Sequence, residues 1–233
     1  MKKKILCIIP ARKGSKGLKN KNFQLFNGKR LLSYPLSLSN KLKIIDHVVF
    51  TSDSNQYLNY VKKNFNCETI KRSKKLSNDN SKIRNVIKFI LKYLKKKKSQ
   101  VFDIILMLEP TSPLTSKKDI LKAIKILERQ YNKVDSVCPV VEINKYNPVF
   151  SMKLKKNFFS NKIMPNNIHR QDDKTFFLSG NFYLSKVSSF IKNNGFYSKK
   201  TYAYIVDKKY YTDIDDKLDF KLAEIQKKIF KIK

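Results

Sequence analysis

Arginine, histidine and cysteine are scarce in this 233-residue chain, and each shortage removes a class of function. The three cysteines, Cys7, Cys67 and Cys138, are odd in number, far apart and free of any C-x-x-C pair. That spacing excludes a zinc ribbon and a disulfide framework, and it fits a reducing cytoplasm. The two histidines, His47 and His169, are read as structural or surface residues without a catalytic role. Of 51 basic residues only six are Arg, so the formal charge of +33 is overwhelmingly lysine charge. Lysine is a strongly hydrated point charge, whereas base readout and forked phosphate contacts favour Arg. No zinc knuckle, RNP-type aromatic strand or arginine-rich arm accompanies the charge. A nucleic-acid-binding protein is therefore the disfavoured alternative. The excess lysine is taken as a solvated surface that attracts anionic substrates, not as a nucleic-acid or membrane-surface patch. No apolar run approaches the length of a membrane span, so no membrane partner is expected.

No internal repeat or low-complexity linker divides the sequence, and 41% apolar residues over this length can fill one core, so residues 1–233 are expected to form one domain. Residues 5–9 follow three lysines as a signal peptide would, but the run is short and is ended by Pro10 and Arg12. A continuous apolar run of that length marks a central strand covered on both faces. Helical spacing predicts helices over residues 31–42, despite Pro35, over 54–63 with Ser54 or Asp53 as cap, over 81–98 and over 117–131. Strands are expected at 47–52, 67–71, 104–108 and 136–141. This alternation predicts an α/β architecture around a mostly parallel sheet. Beyond Val141 it breaks into segments, including 150–155 and 182–184, that look like hairpins set on the main sheet. A further strand over 201–206 and a closing amphipathic helix over 217–231, with Leu218, Leu222, Ile225 and Ile229 on one face, complete the chain.

The loop after the first strand carries the clearest chemistry. It runs Ile8-Ile9-Pro10-Ala11-Arg12-Lys13-Gly14-Ser15-Lys16-Gly17-Leu18-Lys19-Asn20-Lys21-Asn22 and leaves the carboxyl edge of the sheet, where open α/β sheets bind nucleotides. Gly14 and Gly17 let backbone N–H groups approach phosphate oxygens, and Arg12, Lys16, Lys19 and Lys21 add positive charge, so a triphosphate site is implied. The loop is neither G-x-G-x-x-G nor G-x-x-x-x-G-K-[ST], which disfavours a Rossmann dinucleotide site and a P-loop.

This run resembles the nucleotide-binding signature of acylneuraminate cytidylyltransferases. Three later blocks are similar to the same family: Val49-Phe50-Thr51-Ser52-Asp53, then Arg72 with Leu76-Ser77-Asn78-Asp79, then Leu108-Glu109-Pro110-Thr111-Ser112-Pro113-Leu114. A fourth, His169-Arg170-Gln171-Asp172, resembles its R-Q-D stretch. The resemblance implies a Rossmann-like, three-layer nucleotide-diphospho-sugar transferase fold, with residues 142–180 as a β-hairpin dimerisation and sugar-site arm, and hence a homodimer. It places Ala11, Arg12, Gly14, Ser15, Lys16, Lys21, Asn22, Arg72 and Asp79 around CTP, and Glu109, Arg170 and Gln171 at the sugar side.

The last block is Asp213-Ile214-Asp215. In an extended segment residues two apart point to one side, so both carboxylates can face one hard cation. Mg²⁺ fits, and the resemblance makes this pair the metal motif. The implied reaction joins CMP from CTP to the anomeric hydroxyl of a nine-carbon acidic sugar, with pyrophosphate leaving; Arg12, Lys21, Asp213 and Asp215 are the implied catalytic residues. The related activation of 3-deoxy-manno-octulosonate is the nearest alternative. Glu109 and Thr115 stand where the family has Gln and Arg, and Phe177-Leu178-Ser179-Gly180 where it has R-x-N-G. These departures on the sugar side make legionaminic and pseudaminic acids serious candidates beside sialic acid.

Overall fold

The computed structural model describes residues 2–14, 17–78, 80–142, 154–155, 158–159 and 174–232. In chain order its elements are β1 (Ile5–Pro10), β2 (Leu25–Phe26), β3 (Lys29–Arg30), α1 (Ser33–Asn40), β4 (His47–Ser52), α2 (Asn55–Asn64), β5 (Glu68–Lys71) and α3 (Ile83–Lys98). They continue as β6 (Ile104–Met107), α4 (Lys117–Arg129), β7 (Ser136–Glu142), β8 (Leu154–Lys155), β9 (Phe158–Phe159), β10 (Phe176–Leu178), β11 (Tyr183–Lys186), α5 (Val187–Asn193), β12 (Thr201–Ile205) and α6 (Lys217–Ile229).

Residues 5–9 of β1 are fully buried because they lie mid-sheet with a helical layer on each face. Ile5, Cys7 and Ile9 pack on one side with Leu36 of α1, Tyr57 and Val61 of α2 and Ile120 and Ile124 of α4. Leu6 and Ile8 face the other way, onto Val86, Ile87, Ile90 and Leu94 of α3 and Phe190 of α5. The period of two along the strand thus assigns alternate residues to two cores and produces three layers. β1 pairs in parallel with β4 and β6, and β4 with β5. Beyond β6 the sheet turns mixed: β11 runs antiparallel between β6 and β7, β10 is antiparallel to β7, and β12 is parallel to it.

The expected helices and strands up to residue 141 are found at their positions within a few residues. Ser54 caps α2, its hydroxyl accepting from the N–H of Tyr57 at 3.4 Å, while Asp53 accepts from the N–H of Lys13 at 2.9 Å. The choice left open at the cap is thereby settled, and Asp53 is free to tie the glycine-containing loop to the end of β4.

One expectation beyond residue 141 needs correction. Residues 182–184 are not part of an added hairpin: Phe182 and Leu184 are fully buried, and β11 is an internal strand of the main sheet. β10, inside the proposed 142–180 arm, also belongs to that sheet, and β8 and β9 pair with each other. The closing amphipathic helix is found as α6. Leu218, Leu222, Ile225 and Ile229 do lie along one face, but that face is exposed; Phe220 and Ala223 are the residues buried against Phe26, Leu31, Leu114 and Ile214.

Candidate active site

At the carboxyl ends of β1, β5 and β6 lies a cavity of about 610 Å³, lined by Arg12, Gly17, Lys21, Asn22, Arg72, Glu109, Asp213 and Asp215 among others. Seven of the residues predicted from sequence therefore come together in it: Arg12, Lys21, Asn22, Arg72, Glu109, Asp213 and Asp215. Ala11 is buried beneath the loop, its N–H bonded to the carbonyl of Thr51 at 3.0 Å, and does not line the cavity. Gly14 is outside the lining too, and a Cβ there would meet nothing within 4 Å. Ser15, Lys16, Asp79, Arg170 and Gln171 lie outside the described residues, as does His169.

The loop after β1 is held by its own polar side chains. Asn20 adopts the left-handed conformation, φ 53°, and leads into a short 3₁₀ turn over Lys21–Phe23. That turn buries Lys21 and Asn22. The Asn22 amide donates to the carbonyl of Arg12 at 3.0 Å, closing the loop on itself. Lys21 reaches across to the other wall, donating to Asp215 Oδ1 at 2.8 Å and to the carbonyl of Ile214. Gly17 is demanded by packing: a Cβ there would fall on the carbonyl oxygen of Asp215.

Arg72 leaves the end of β5 almost fully buried, its N–H bonded to the carbonyl of Ser52 at 3.0 Å. Burial lowers its pKa, nearby Asp53 raises it, and the positive Arg12 lowers it again. Arg72 Nε is buried without a hydrogen-bonding partner among the described residues. A buried donor left open beside a second guanidinium is the arrangement an anion completes.

The opposite wall is acidic. Glu109, partly buried just beyond β6, has its carboxyl pushed up to about 7, first by desolvation and then by Asp213, with Lys21 pulling it down and Asp215 pushing it up. Asp213 has an exposed surface, yet the cavity mouth still desolvates it; burial first and then Asp215 raise its pKa, while Lys21 lowers it. Between them Ile214 is fully buried and Asp215 is exposed, so the two aspartates share the solvent-facing side as the extended reading required. Mutual repulsion among these carboxylates is what a divalent cation relieves. No group of three or more metal-ligating side chains stands ready-made among the described residues. A pair of carboxylates without a closed cage is the donor set Mg²⁺ tolerates, because it keeps several waters and takes oxygens from phosphates.

What positions this acidic wall is a hydrogen-bonded turn that residue patterns did not disclose. Ser112, buried in the Pro-Thr-Ser-Pro turn, has its hydroxyl 2.9 Å from the carbonyl of Thr212 and 3.1 Å from that of Gly180. The Ile214 N–H donates to the carbonyl of Thr111 at 3.1 Å. Asp219 then accepts from the N–H groups of Asp215 and Asp216 at 2.9 and 3.1 Å, in a capping box that starts α6. Thr115 is part of this scaffold, its hydroxyl 2.7 Å from the Ser112 carbonyl and 3.0 Å from that of Asn181; it lines a separate cavity of about 180 Å³ which Glu109 also borders. Asn78 and Ser81, in the loop between β5 and α3, line the main cavity as well, and the buried Ser81 hydroxyl has no hydrogen-bonding partner among the described residues. Only the quoted Leu76-Ser77-Asn78-Asp79 block hinted at that loop.

Comparison with known proteins agrees with this fold. The chain is 29% identical over 226 residues to an N-acylneuraminate cytidylyltransferase of Escherichia coli O18:K1:H7, covering 96% of this chain and 52% of that protein, so it spans about half the length of that relative. It is 28% identical to the CMP-N,N'-diacetyllegionaminic acid synthase of Legionella pneumophila, covering 95% of each. Among solved structures, a CMP:2-keto-3-deoxy-manno-octonic acid synthetase complexed with CTP superposes with a TM-score of 0.68 at 13% identity, over 98% of this chain and 99% of that one, a likeness of fold. The cytidylyltransferase family matches residues 6–233, nearly the whole sequence, and the chain belongs to that family.

Proposed function

We propose that this chain transfers CMP from CTP to the anomeric hydroxyl of a nine-carbon acidic sugar of the sialic, legionaminic or pseudaminic class, releasing pyrophosphate. The observation that carries the reading is one cavity with a cationic wall, Arg12, Lys21 and Arg72, facing an acidic one, Asp213, Asp215 and Glu109. The cationic wall suits a triphosphate, whose charge must be neutralised as pyrophosphate leaves. The relatives named above act on nine-carbon acids by their names, which supports that class over the eight-carbon octulosonate.

In this reading Arg12 and Arg72 hold the β- and γ-phosphates, with the open Nε–H of Arg72 donating to one phosphate oxygen. Lys21, pinned between Asp215 and the Ile214 carbonyl, keeps the two walls in register and presents its charge to the α-phosphate. Asn22 fixes the loop backbone through Arg12, so the guanidinium is delivered from a rigid turn. Asp213 and Asp215 would hold Mg²⁺, which when bound orients phosphate oxygens and offsets negative charge developing at the reacting phosphorus. Glu109 borders the sugar side, where its carboxyl discriminates among acidic sugars by repulsion unless a cation intervenes. Function as a homodimer and a location in the cytoplasm belong to the same proposal; no described helix is long and apolar enough to cross a membrane.

The test is pyrophosphate release with each of the four nucleoside triphosphates, with Mg²⁺ present or chelated, against sialic, legionaminic, pseudaminic and octulosonic acids. Metal-dependent release with CTP and one nine-carbon acid is expected. Release only with octulosonic acid would transfer the chain to the eight-carbon branch, and no release with any pair would leave a binding protein that retains the fold.

A further inference from the structure

The exposed face of α6 is a second surface with a chemistry of its own. Leu218, Leu222, Ile225 and Ile229 recur at helical spacing and fall within about 60° of arc on an ideal helix. They are 66%, 53%, 53% and 66% exposed, and Phe230 at the helix end is 53% exposed. Scattered apolar residues on a surface are ordinary, but a continuous stripe of this kind marks an interaction site. The helix is not loosely held: the capping box fixes its start, Phe220 and Ala223 bury its opposite side, and Phe220 meets Phe26 edge-on at 5.5 Å between ring centroids. The stripe is therefore presented outward on a fixed element.

The charge around it identifies what it fits. Lys217 and Lys228 are exposed on one flank, Lys221 beside them is paired with Glu224 at 2.7 Å, and Asp219 is engaged in the capping box. On the other flank Gln226 donates to the carbonyls of Lys208, Lys209 and Tyr211 at 3.1, 3.0 and 2.9 Å, which draws a lysine-bearing turn against the helix. An apolar stripe bordered by lysines is the pattern of a helix that lies in the plane of a lipid interface. A second copy seated on this face is a poor match, because it would set two lysine-rimmed stripes against each other.

We propose that α6 docks this protein on an anionic lipid surface, the leucine and isoleucine stripe entering the headgroup boundary and the lysines pairing with lipid phosphates. The stripe was legible in the sequence, whereas its exposure is set by the neighbours of α6, which are met by Phe220 and Ala223 instead. The inference stands apart from the transfer reaction, since its test reads lipid binding and not turnover.

The chain contains no tryptophan, so Leu222→Trp places a single indole in the stripe. Vesicles of phosphatidylcholine alone are compared with vesicles holding about 30% phosphatidylglycerol, by co-sedimentation and by indole emission. Binding to the anionic vesicles only, with a blue shift of emission, is expected. The charge-neutral pair Leu218→Gln with Ile229→Gln, both on the exposed face, is expected to weaken that binding by at least about tenfold while leaving the melting temperature unchanged. Unaltered binding in the glutamine variant, or binding without a blue shift, would reduce the effect to generic lysine charge and overturn the proposal. Absence of binding would overturn it too, and self-association abolished by the same substitutions would assign the stripe to a second copy instead.

Discussion

Gly17 and Glu109 show how single residues set the terms of the site. A methyl group at Gly17 would collide with the Asp215 carbonyl, backbone against backbone, so neither side can yield by changing a rotamer. Gly17→Ala is expected to destabilise the fold by about 1–3 kcal/mol and to displace Asp215, lowering turnover as well; denaturant unfolding and a rate assay read the two effects, and a variant unchanged in both would contradict the close approach. Glu109 is titratable within the working range. Its carboxyl is raised from the usual 4.5 to about 7. The folded state thus favours the neutral acid, and the stability this contributes is full below about 4.5 and is lost as pH rises through about 7. Glu109→Gln cannot ionise, so with metal chelated it should melt above the parent chain at about pH 8 and level with it below about pH 4.5. Equal melting at both values would contradict the desolvated setting of Glu109 and its closeness to the aspartates. Arg12, Lys21 and the Asp-x-Asp pair were legible in sequence because chain-local spacing carries them. The raised pKa of Glu109 was not, because it depends on burial beyond β6 first and then on where Asp213 folds back.

At the scale of elements, the site is a strand-end loop and a helix-start loop sewn together by one turn. Ser112 joins three stretches of chain through a single buried hydroxyl shared between the carbonyls of Thr212 and Gly180. Ser112→Ala should cost about 1–2 kcal/mol, since two buried carbonyls lose that donor together; the loss is read by urea unfolding, and a neutral result would mean that water replaces the hydroxyl. No motif logic anticipates such a hub, because its contacts lie 68 and 100 residues away in sequence. The helices and strands before residue 142 were legible because β1 is uniformly apolar and the helices alternate polar and apolar faces. One element misled. The short apolar segment at 182–184 gives no clue that β11 enters the sheet between β6 and β7. In α6 the periodicity revealed an apolar face correctly, but burial is decided by which neighbours arrive, and Phe220 with Ala223 meets the β2–β3 hairpin first.

Over the whole molecule the charge of +33 biases encounters with anions before any contact forms. Raising ionic strength from about 0.05 M to about 0.5 M should raise KM for CTP several-fold while kcat changes less, because screening acts on approach and initial capture. A KM indifferent to salt would confine the useful charge to Arg12, Lys21 and Arg72. The three-layer arrangement brings those residues and the aspartates, from opposite ends of the sequence, to one edge of the sheet, and catalysis in this cavity depends on that union more than on any single contact. The most direct test is the rate of CTP-dependent pyrophosphate release, with the preferred acidic sugar, in Arg12→Ala and in Asp215→Ala. Both variants are predicted to fall by at least about 100-fold with far-ultraviolet circular dichroism unchanged, as loss of a transition-state contact requires. Turnover close to that of the parent chain in either one would contradict the assignment of this cavity as the catalytic centre.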